Sequence, residues 1–223
     1  MRRSQPHPTP VPAALQALLT RFQLSAPPLG EQLPGELLPR ETSAAGWRQA
    51  AVLMPILPAA DGLQLLLTRR SDQLRHHPGQ ISFPGGRYDD TDADLWATAL
   101  RESHEELALP ASKIHLLGRL PEHRTVSRYR VTPFLAWVEP DVVPRPAPDE
   151  VAEVFSVPLA PLLEPANYGQ WPVFRHQHWH TVFGLTCQQR LIWGATARML
   201  WQLACQLQGP AAIVNKQNIR HGI

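Results

Sequence analysis

Residues Ile81–Leu109 read ISFPGGRYDDTDADLWATALRESHEELAL, and this stretch decides the predicted fold. It begins as a short apolar strand that ends on two glycines. A helix is predicted from about Asp92 to Leu107, with Thr91 or Asp92 as N-cap and acidic residues in its first turn. The stretch therefore predicts a strand, a glycine turn and an amphipathic helix in succession.

The predicted helix places Glu102, Glu105 and Glu106 within an arc of about 100°, opposite its bulky apolar side chains. An ordinary solvated helix explains such a face. However, like charges three and four residues apart repel by roughly 0.2–0.5 kcal/mol per pair, and the helix dipole disfavours anions near the C-terminus. Arg101 is expected to offset only one of the three carboxylates. A bound Mg²⁺ removes these penalties, because hard cations take carboxylate oxygens as ligands.

The paired glycines Gly85 and Gly86 add a second element to the predicted site. Glycine lets the backbone approach a ligand or another element closely, although such a pair is more often a simple turn. At a fixed distance from the three glutamates, the pair instead indicates a site for a metal ion and a phosphate group.

These residues resemble the signature of the Nudix hydrolases, G-x5-E-x7-R-E-U-x-E-E-x-G-U, where U is a bulky apolar residue. Gly86 stands at the first glycine, Asp92 at the first acidic position, and RESHEELAL matches from Arg101 onward. The spacing from Asp92 to Arg101 is one residue longer than the general pattern. Three residues also depart from it: Asp92 replaces glutamate, Ser103 replaces the apolar residue and Ala108 replaces the late glycine.

A second match narrows the resemblance to the coenzyme A pyrophosphatase subfamily. The segment LLTRRSDQLRHHPGQISFPGG, residues Leu66–Gly86, agrees at every fixed position with that subfamily's signature LLTxRSxxLRxHxGQISFPGG. The extra residue between Asp92 and Arg101 also resembles this subfamily. The likeness covers roughly Ala50 to Leu200.

The pattern of apolar runs predicts the fold class independently. Short strands before and after the acidic helix, followed by a helix near the C-terminus, predict a mixed sheet covered by helices. The resemblance implies the same α+β or α/β architecture, a mixed β-sheet sandwiched between α-helices. We expect an N-terminal extension with one helix over residues 1–45, the Nudix domain over 46–208 and a tail over 209–223.

The resemblance assigns roles around the acidic helix residue by residue. Glu102 and Glu106 are expected to be the principal Mg²⁺ or Mn²⁺ ligands. Glu105 is expected to be a third ligand or the general base. Arg101 is expected to orient a glutamate through an ion pair, and Gly86 to contribute its carbonyl oxygen to the metal.

The general base varies in position within this family, so Glu150 and Glu153 in DEVAEVF are rival candidates. The alternative for both is a pair of solvent-facing strand residues.

Three basic residues are predicted to bind substrate, together with the glycine turn at Gly85. Arg70, Arg75 and His77 suit anionic phosphate oxygens, and coenzyme A carries a 3′-phosphate besides its diphosphate. The alternative is that the three residues order the loop beneath the glycines.

The implied reaction is hydrolysis of coenzyme A or an acyl derivative to 3′,5′-ADP and 4′-phosphopantetheine or its acyl form. Two alternatives stay open. One is a pyrophosphatase of ADP-ribose, NADH or dinucleoside polyphosphates, and the other is a non-catalytic nucleotide-binding Nudix domain.

The amino-acid composition argues against several other classes of protein. The 223 residues are 43% hydrophobic and 18% charged, which is typical of a globular protein. The net charge of +2 is dispersed, so nucleic-acid binding is not expected. The sequence has no long apolar run and no signal-peptide pattern, and Cys187 and Cys205 form neither a metal motif nor a disulfide framework. These features favour a cytoplasmic protein without membrane contact. The expected partner is a small-molecule substrate, with a homodimer as a possibility.

Overall fold

Two apolar runs joined by a tight turn form the centre of the fold. They are β1 (Arg48–Ala59) and β2 (Gly62–Arg70), which pair antiparallel up to Ala59 opposite Gly62. The computed structural model describes residues 13–24, 46–175 and 178–208. Both strands are rich in buried aliphatic side chains on both faces, so they lie in the interior of a layered structure.

The two strands belong to a mixed sheet of eight strands. Its other members are β3 (Ile81–Ser82), β4 (Gly85–Arg87), β5 (Ile114–Arg119), β6 (His123–Arg124), β7 (Tyr129–Val138) and β8 (Val151–Pro158). β1 and β7 are parallel, and the other pairs are antiparallel. The first half of β1 pairs with β4 and the second half of β2 pairs with β3. Gly85 and Gly86 thereby lie in a short strand, not in a turn, where β1 and β2 part.

Helices cover both faces of this sheet, as the sequence predicts. They are α1 (Ala13–Leu24), α2 (Leu95–Leu107), the short α3 (Leu159–Leu162) and α4 (Ala195–Gln208). α2 packs on one face through Ala99 and Leu107, and α4 packs on the other. Leu15 and Leu18 of α1 are buried in the same cluster as α4. Residues 1–12, 25–45 and 209–223 lie outside the described part of the chain.

A second, three-stranded sheet packs beside α4. Its strands are β9 (Gly169–Arg175), β10 (His178–Cys187) and β11 (Arg190–Trp193), with β10 in the middle. Phe183, Leu185 and Ile192 point into the α4 core. β9 and β10 are among the strands predicted after the acidic helix, whereas their separation into a second sheet with β11 was not predicted. No described helix has the length and apolar character needed to cross a membrane.

The acidic helix begins later than its sequence predicts. α2 starts at Leu95, and its N-cap is Asp94, whose side chain accepts a hydrogen bond of 2.8 Å from the Ala97 N–H. The predicted N-caps Thr91 and Asp92 and the predicted acidic first turn are therefore wrong. The physical reason is that the Asp92 carboxylate accepts hydrogen bonds from other groups, and Asp94 has the extended backbone that a cap requires.

Ala108 ends this helix in a left-handed conformation with φ 53° and ψ 30°. Its N–H donates to the His104 carbonyl, which closes the last turn. A side chain with a Cβ is disfavoured there, so we expect Ala108→Gly to raise the free energy of unfolding by about 0.5–1 kcal/mol. Urea unfolding measures the change. The same substitution at Ala97, within the helix, is expected to lower the free energy by a similar amount.

Candidate active site

The acidic face of α2 packs against the paired glycines of β4, because β4 pairs with β1 directly beside the helix. The Gly85 N–H donates a hydrogen bond of 3.2 Å to Glu106 Oε2. A Cβ on Gly86 would lie only 2.5 Å from the carboxyl carbon of Glu102. Each glycine therefore meets one glutamate, and the backbone approach that the sequence predicts is present.

The two glutamates that meet the glycines are shielded from solvent. Glu106 is 4% exposed, and the side chain of Glu102 is 16% exposed. Burial raises the pKa of Glu106 to about 8, although the Gly85 N–H and the charge of Arg70 partly oppose the rise. Burial likewise raises the pKa of Glu102 above its usual range, against the opposing effect of Arg101. Within the described residues, no Lys, Arg or His forms an ion pair with Glu106.

Arg101 contacts three carboxylates, so the prediction that it offsets only one is wrong. Its Nε lies 2.9 Å from Asp92 Oδ1, and its Nη1 lies 2.9 Å from Glu102 Oε1 and 3.1 Å from Glu105 Oε2. Its Nη2 also donates to the Arg87 carbonyl at 3.0 Å. The guanidinium fork spans these groups because its donors point in several directions at once. Of the three helix glutamates, only Glu106 lacks a contact with Arg101 within the described structure.

Asp92 positions Arg101, and it is not among the site residues predicted from the sequence. Its side chain is 5% exposed and binds Arg101 through both oxygens, and Thr98 Oγ1 donates to it at 2.8 Å. The Arg101 guanidinium holds the pKa of this carboxyl far below its usual range. The signal was visible in the sequence, since Asp92 stands at the first acidic position of the signature. Asp92 fixes Arg101, which in turn holds the Glu102 carboxylate.

Glu102, Glu106 and Gly86 have the chemistry to hold a divalent cation. Glu106 is buried and Glu102 is half-buried, the two lie one helical turn apart with raised pKa values, and of the two only Glu102 has an arginine partner in the described structure. The missing Cβ of Gly86 leaves the carboxylate of Glu102 next to the backbone. Glu105 is 52% exposed and bound to Arg101. Consistent with this, no group of three His, Cys, Asp or Glu side chains converges on one point in the described ranges. Two carboxylates completed by water and substrate oxygens suit Mg²⁺.

The two rival bases lie in different surroundings. Glu153 is bound to Arg190 of β11 through two contacts of 2.7 and 3.0 Å. Glu150 is exposed just before β8, and its negative charge raises the pKa of both Glu102 and Glu106. The structure therefore brings Glu150 to the acidic site and turns Glu153 toward the second sheet.

The predicted substrate-binding residues also lie in two different places. Arg70 lies at the end of β2, where the pairing with β8 has an irregularity, and its charge lowers the pKa of Glu106. Its Nε is buried and has no hydrogen-bond partner among the described residues. Arg75 and His77 are exposed on the loop between β2 and β3, and His77 has a positive φ of 54°. Arg70 thus faces the glutamates, while Arg75 and His77 face solvent.

The raised pKa of Glu106 predicts a pH dependence of stability without metal. Between the ordinary value of 4.5 and about 8 the folded protein binds more protons than the unfolded chain. The free energy of unfolding in EDTA is therefore expected to be highest below this window and to fall as pH rises, by at most about 1.4 kcal/mol per pH unit. Urea unfolding across the window measures the slope. Excess Mg²⁺ is expected to flatten it, and a flat profile in EDTA would contradict the burial argument.

Comparison with known proteins shows the family to which the chain belongs. Residues 47–177, more than half of the chain, match the NUDIX domain. Proteins called "Uncharacterized Nudix hydrolase NudL" from Shigella boydii serotype 4 and Escherichia coli O1:K1 are each 42% identical over 193 residues, covering 86% of this chain and 94% of theirs. The fold and the site define a hydrolase of pyrophosphate linkages. The chain belongs to the Nudix family, whose hydrolases generally use divalent metal ions.

Solved structures of more distant proteins are also similar. RenU, a Nudix hydrolase from M. smegmatis, is 23% identical with a TM-score of 0.44, covering 51% of this chain and 72% of that protein. The NUDIX domain of Shewanella oneidensis NrtR, solved with ADP ribose, is 21% identical with a TM-score of 0.43, covering 57% and 82% respectively.

Proposed function

We propose that this Nudix hydrolase cleaves the diphosphate of coenzyme A or acyl-coenzyme A with Mg²⁺ or Mn²⁺, in the cytoplasm and as a homodimer. The products are 3′,5′-ADP and 4′-phosphopantetheine or its acyl form. One observation carries the substrate assignment: the segment Leu66–Gly86, which resembles the coenzyme A pyrophosphatases, runs from β2 through the exposed loop to the two glycines of β4. Both ends of this segment meet the acidic site, Arg70 and Gly85 at Glu106 and Gly86 at Glu102.

We assign the cation to the carboxylates of Glu102 and Glu106 and to the Gly86 carbonyl. A divalent cation supplies charge neutralisation of the diphosphate and a lowered pKa of the attacking water. Arg101 holds Glu102 in place and is itself held by Asp92. Glu105, bound to Arg101 and half exposed, is the third candidate for a ligand or a base.

We propose Glu150 as the general base in preference to Glu153 and Glu105. A base must be within reach of the attacking water and must have a free carboxylate. Glu150 is exposed and close enough to influence both buried glutamates electrostatically. Glu153 and Glu105 each form an ion pair with an arginine, so their carboxylates are already engaged.

We propose that the basic residues divide the substrate between them. Arg70 lies beside Glu106 and suits the diphosphate, with the backbone at Gly85 close by. Arg75 and His77 lie on the exposed loop and suit the outlying 3′-phosphate.

This division predicts a difference between two alanine variants. Arg75→Ala is expected to raise KM for coenzyme A about tenfold and to leave KM for dephospho-coenzyme A nearly unchanged, because one charge-assisted contact is lost. Arg70→Ala is expected to impair both substrates equally. Steady-state kinetics on the two substrates measures both ratios. Equal effects of Arg75→Ala on the two substrates would contradict the assignment of Arg75 to the 3′-phosphate.

A substrate panel tests the proposal as a whole. The purified protein is incubated with Mg²⁺ or Mn²⁺ and coenzyme A, acyl-coenzyme A, ADP-ribose, NADH or a dinucleoside polyphosphate, and products are identified by mass spectrometry. We expect the highest kcat/KM for coenzyme A or an acyl derivative. Turnover confined to ADP-ribose, NADH or dinucleoside polyphosphates would favour a pyrophosphatase of those substrates. Absence of all turnover would favour a non-catalytic nucleotide-binding domain.

A further inference from the structure

The pairing of β8 with β2 contains a β-bulge. The register is regular as far as Arg69 opposite Glu153, and then Arg70 stands opposite Val151. Ala152 is therefore an extra residue in β8. Bulges of this kind redirect side chains and are frequent beside active sites.

The bulge changes which face of the sheet the first residues of β8 occupy. Phe155 packs against the core on the α4 side, and Val154 packs against the core on the α2 side. In a regular strand Val151 would share the face of Phe155, because successive side chains alternate. Val151 is instead buried on the α2 side. The chain before the bulge is thereby turned toward α2, where Glu102 and Glu106 lie.

One arginine of the second sheet contacts β8 on the other side of the bulge. Arg190 of β11 donates to both carboxylate oxygens of Glu153, at 2.7 and 3.0 Å. Its guanidinium also lies over the ring of Phe155, 4.2 Å from the centroid. Bidentate pairs fix geometry as well as charge. Arg69, directly opposite Glu153, donates instead to Asp72 at 2.9 and 3.0 Å.

The turn that leads into Arg190 has an unfavourable backbone conformation. Gln188 and Gln189 both have a positive φ, of 48° and 62°. A Cβ is disfavoured in this left-handed region, so such turns usually contain Gly, Asn or Asp. Conformations of this kind persist where surrounding contacts determine them, and they are frequent at functional sites. The contacts of Arg190 with β8 are contacts of this type.

Hydrogen bonds hold the backbone of Glu150 before the bulge. Its carbonyl accepts from the Ser71 N–H at 2.9 Å, and its own N–H donates to the Ala147 carbonyl at 3.0 Å. Glu150 thus lies between these bonds and the pair of Arg190 with Glu153, with its side chain exposed. Displacement of a catalytic group by about 1 Å costs up to about 100-fold in rate.

We infer that Arg190 and Glu153 are positioning residues, which hold the bulge of β8 in the form that presents Glu150 to the attacking water. The inference rests on the proposed function, in which Glu150 is the general base. It also gives the second sheet a role in the reaction, because β11 supplies the arginine. The pair does not contact the substrate in this role, so it acts on kcat and not on KM.

Steady-state kinetics of Arg190→Met on coenzyme A tests the inference. Methionine keeps an apolar stem over Phe155 but removes the pair with Glu153. We expect kcat to fall about tenfold, because part of the contribution of a general base is lost, and KM to change less than about twofold. Glu153→Gln removes the same pair from the other strand and is expected to give the same result. Urea unfolding shows whether each variant is folded under the assay conditions.

Lys113→Met is the matched control. Lys113 also contacts two carboxylate oxygens, 2.6 Å away on Glu139 and 3.1 Å away on Asp141. Its side chain is 37% exposed, against 34% for Arg190. It precedes β5 at one edge of the main sheet, whereas β8 lies beyond β2 toward the other edge. The control is expected to keep the wild-type kcat and KM.

Combination with Glu150→Gln separates a positioning role from a merely structural one. Glu150→Gln alone is expected to lower kcat at least about 100-fold. Adding Arg190→Met is expected to lower kcat no further, because the base that the pair positions is already absent. A further tenfold loss in the double variant, or wild-type kcat in either folded single variant of the pair, overturns the inference and leaves the base assignment standing. Near-normal kcat in Glu150→Gln overturns the base assignment, and the inference with it.

Discussion

Glu106→Gln is expected to lower kcat at least about 1,000-fold while stabilising the metal-free protein near pH 8. The activity falls because the amide cannot supply the negative charge that a divalent cation requires. The stability rises because the amide is neutral, whereas the buried carboxylate must ionise at a cost or take up a proton. Steady-state turnover with Mg²⁺ and urea unfolding in EDTA measure the two effects on the same protein sample.

Glu122→Gln is the matched control, because Glu122 is exposed and its contacts with arginines in the described part of the chain are long, at 3.5 and 3.8 Å. It is expected to leave turnover unchanged and stability within about 0.5 kcal/mol. Mg²⁺ is expected to stabilise this control but not Glu106→Gln. A Glu106→Gln variant with near-normal turnover would contradict the assigned role of the buried carboxylate.

Substitution of the two neighbouring glycines is expected to separate folding from activity. Gly85 has φ +146°, and a Cβ there would meet the backbone carbonyl of Ala51 and the Cα of Val52 in β1. Gly85→Ala is therefore expected to lower the free energy of unfolding by about 3 kcal/mol or more. A Cβ on Gly86 would instead meet the end of the flexible Glu102 side chain. Gly86→Ala is expected to fold and to lower kcat at least about 100-fold, because it displaces that carboxylate.

Urea unfolding and turnover of both variants provide the measurements, with Gly62→Ala as the control. Gly62 also has a positive φ of +132°, but a Cβ there meets no atom within 4 Å. The control therefore measures the cost of the backbone conformation alone and is expected to keep full turnover. If Gly86→Ala retained wild-type kcat, the close contact between Gly86 and the Glu102 carboxylate would not be required for the reaction.

The mixed sheet between helices was predictable because each of its signals is local. The two apolar runs that became β1 and β2 flank a short turn, and α4 has its buried residues at helical spacing. The division of α2 into an apolar and an acidic face was also predictable, from the spacing of its residues at 100° each. β11 has only four residues, Arg190–Trp193, and pairs with β10 across a turn formed by Gln188 and Gln189. Both glutamines have a positive φ, which Gly, Asn and Asp favour, so the turn carries no recognisable sequence signal.

The candidate site was predictable as a set of residues but not as a network. Helical spacing places Glu102, Glu105 and Glu106 on one face without distinguishing them, whereas the structure buries Glu106, half-buries Glu102 and leaves Glu105 exposed. The difference arises from the register of β4 against β1, which brings the glycines over one edge of the acidic face. The reach of Arg101 to Asp92 depends on the loop before the helix, whose path no periodicity specifies.

Titration of the protein with Mn²⁺, followed by electron paramagnetic resonance of the free ion, tests the central claim that Glu102 and Glu106 form the cation site. The wild type is expected to bind Mn²⁺, and Glu106→Gln and Gly86→Ala are each expected to weaken that binding at least about tenfold. The control Glu122→Gln is expected to match the wild type. Equal Mn²⁺ affinity in the wild type and Glu106→Gln would place the cation elsewhere and contradict the account.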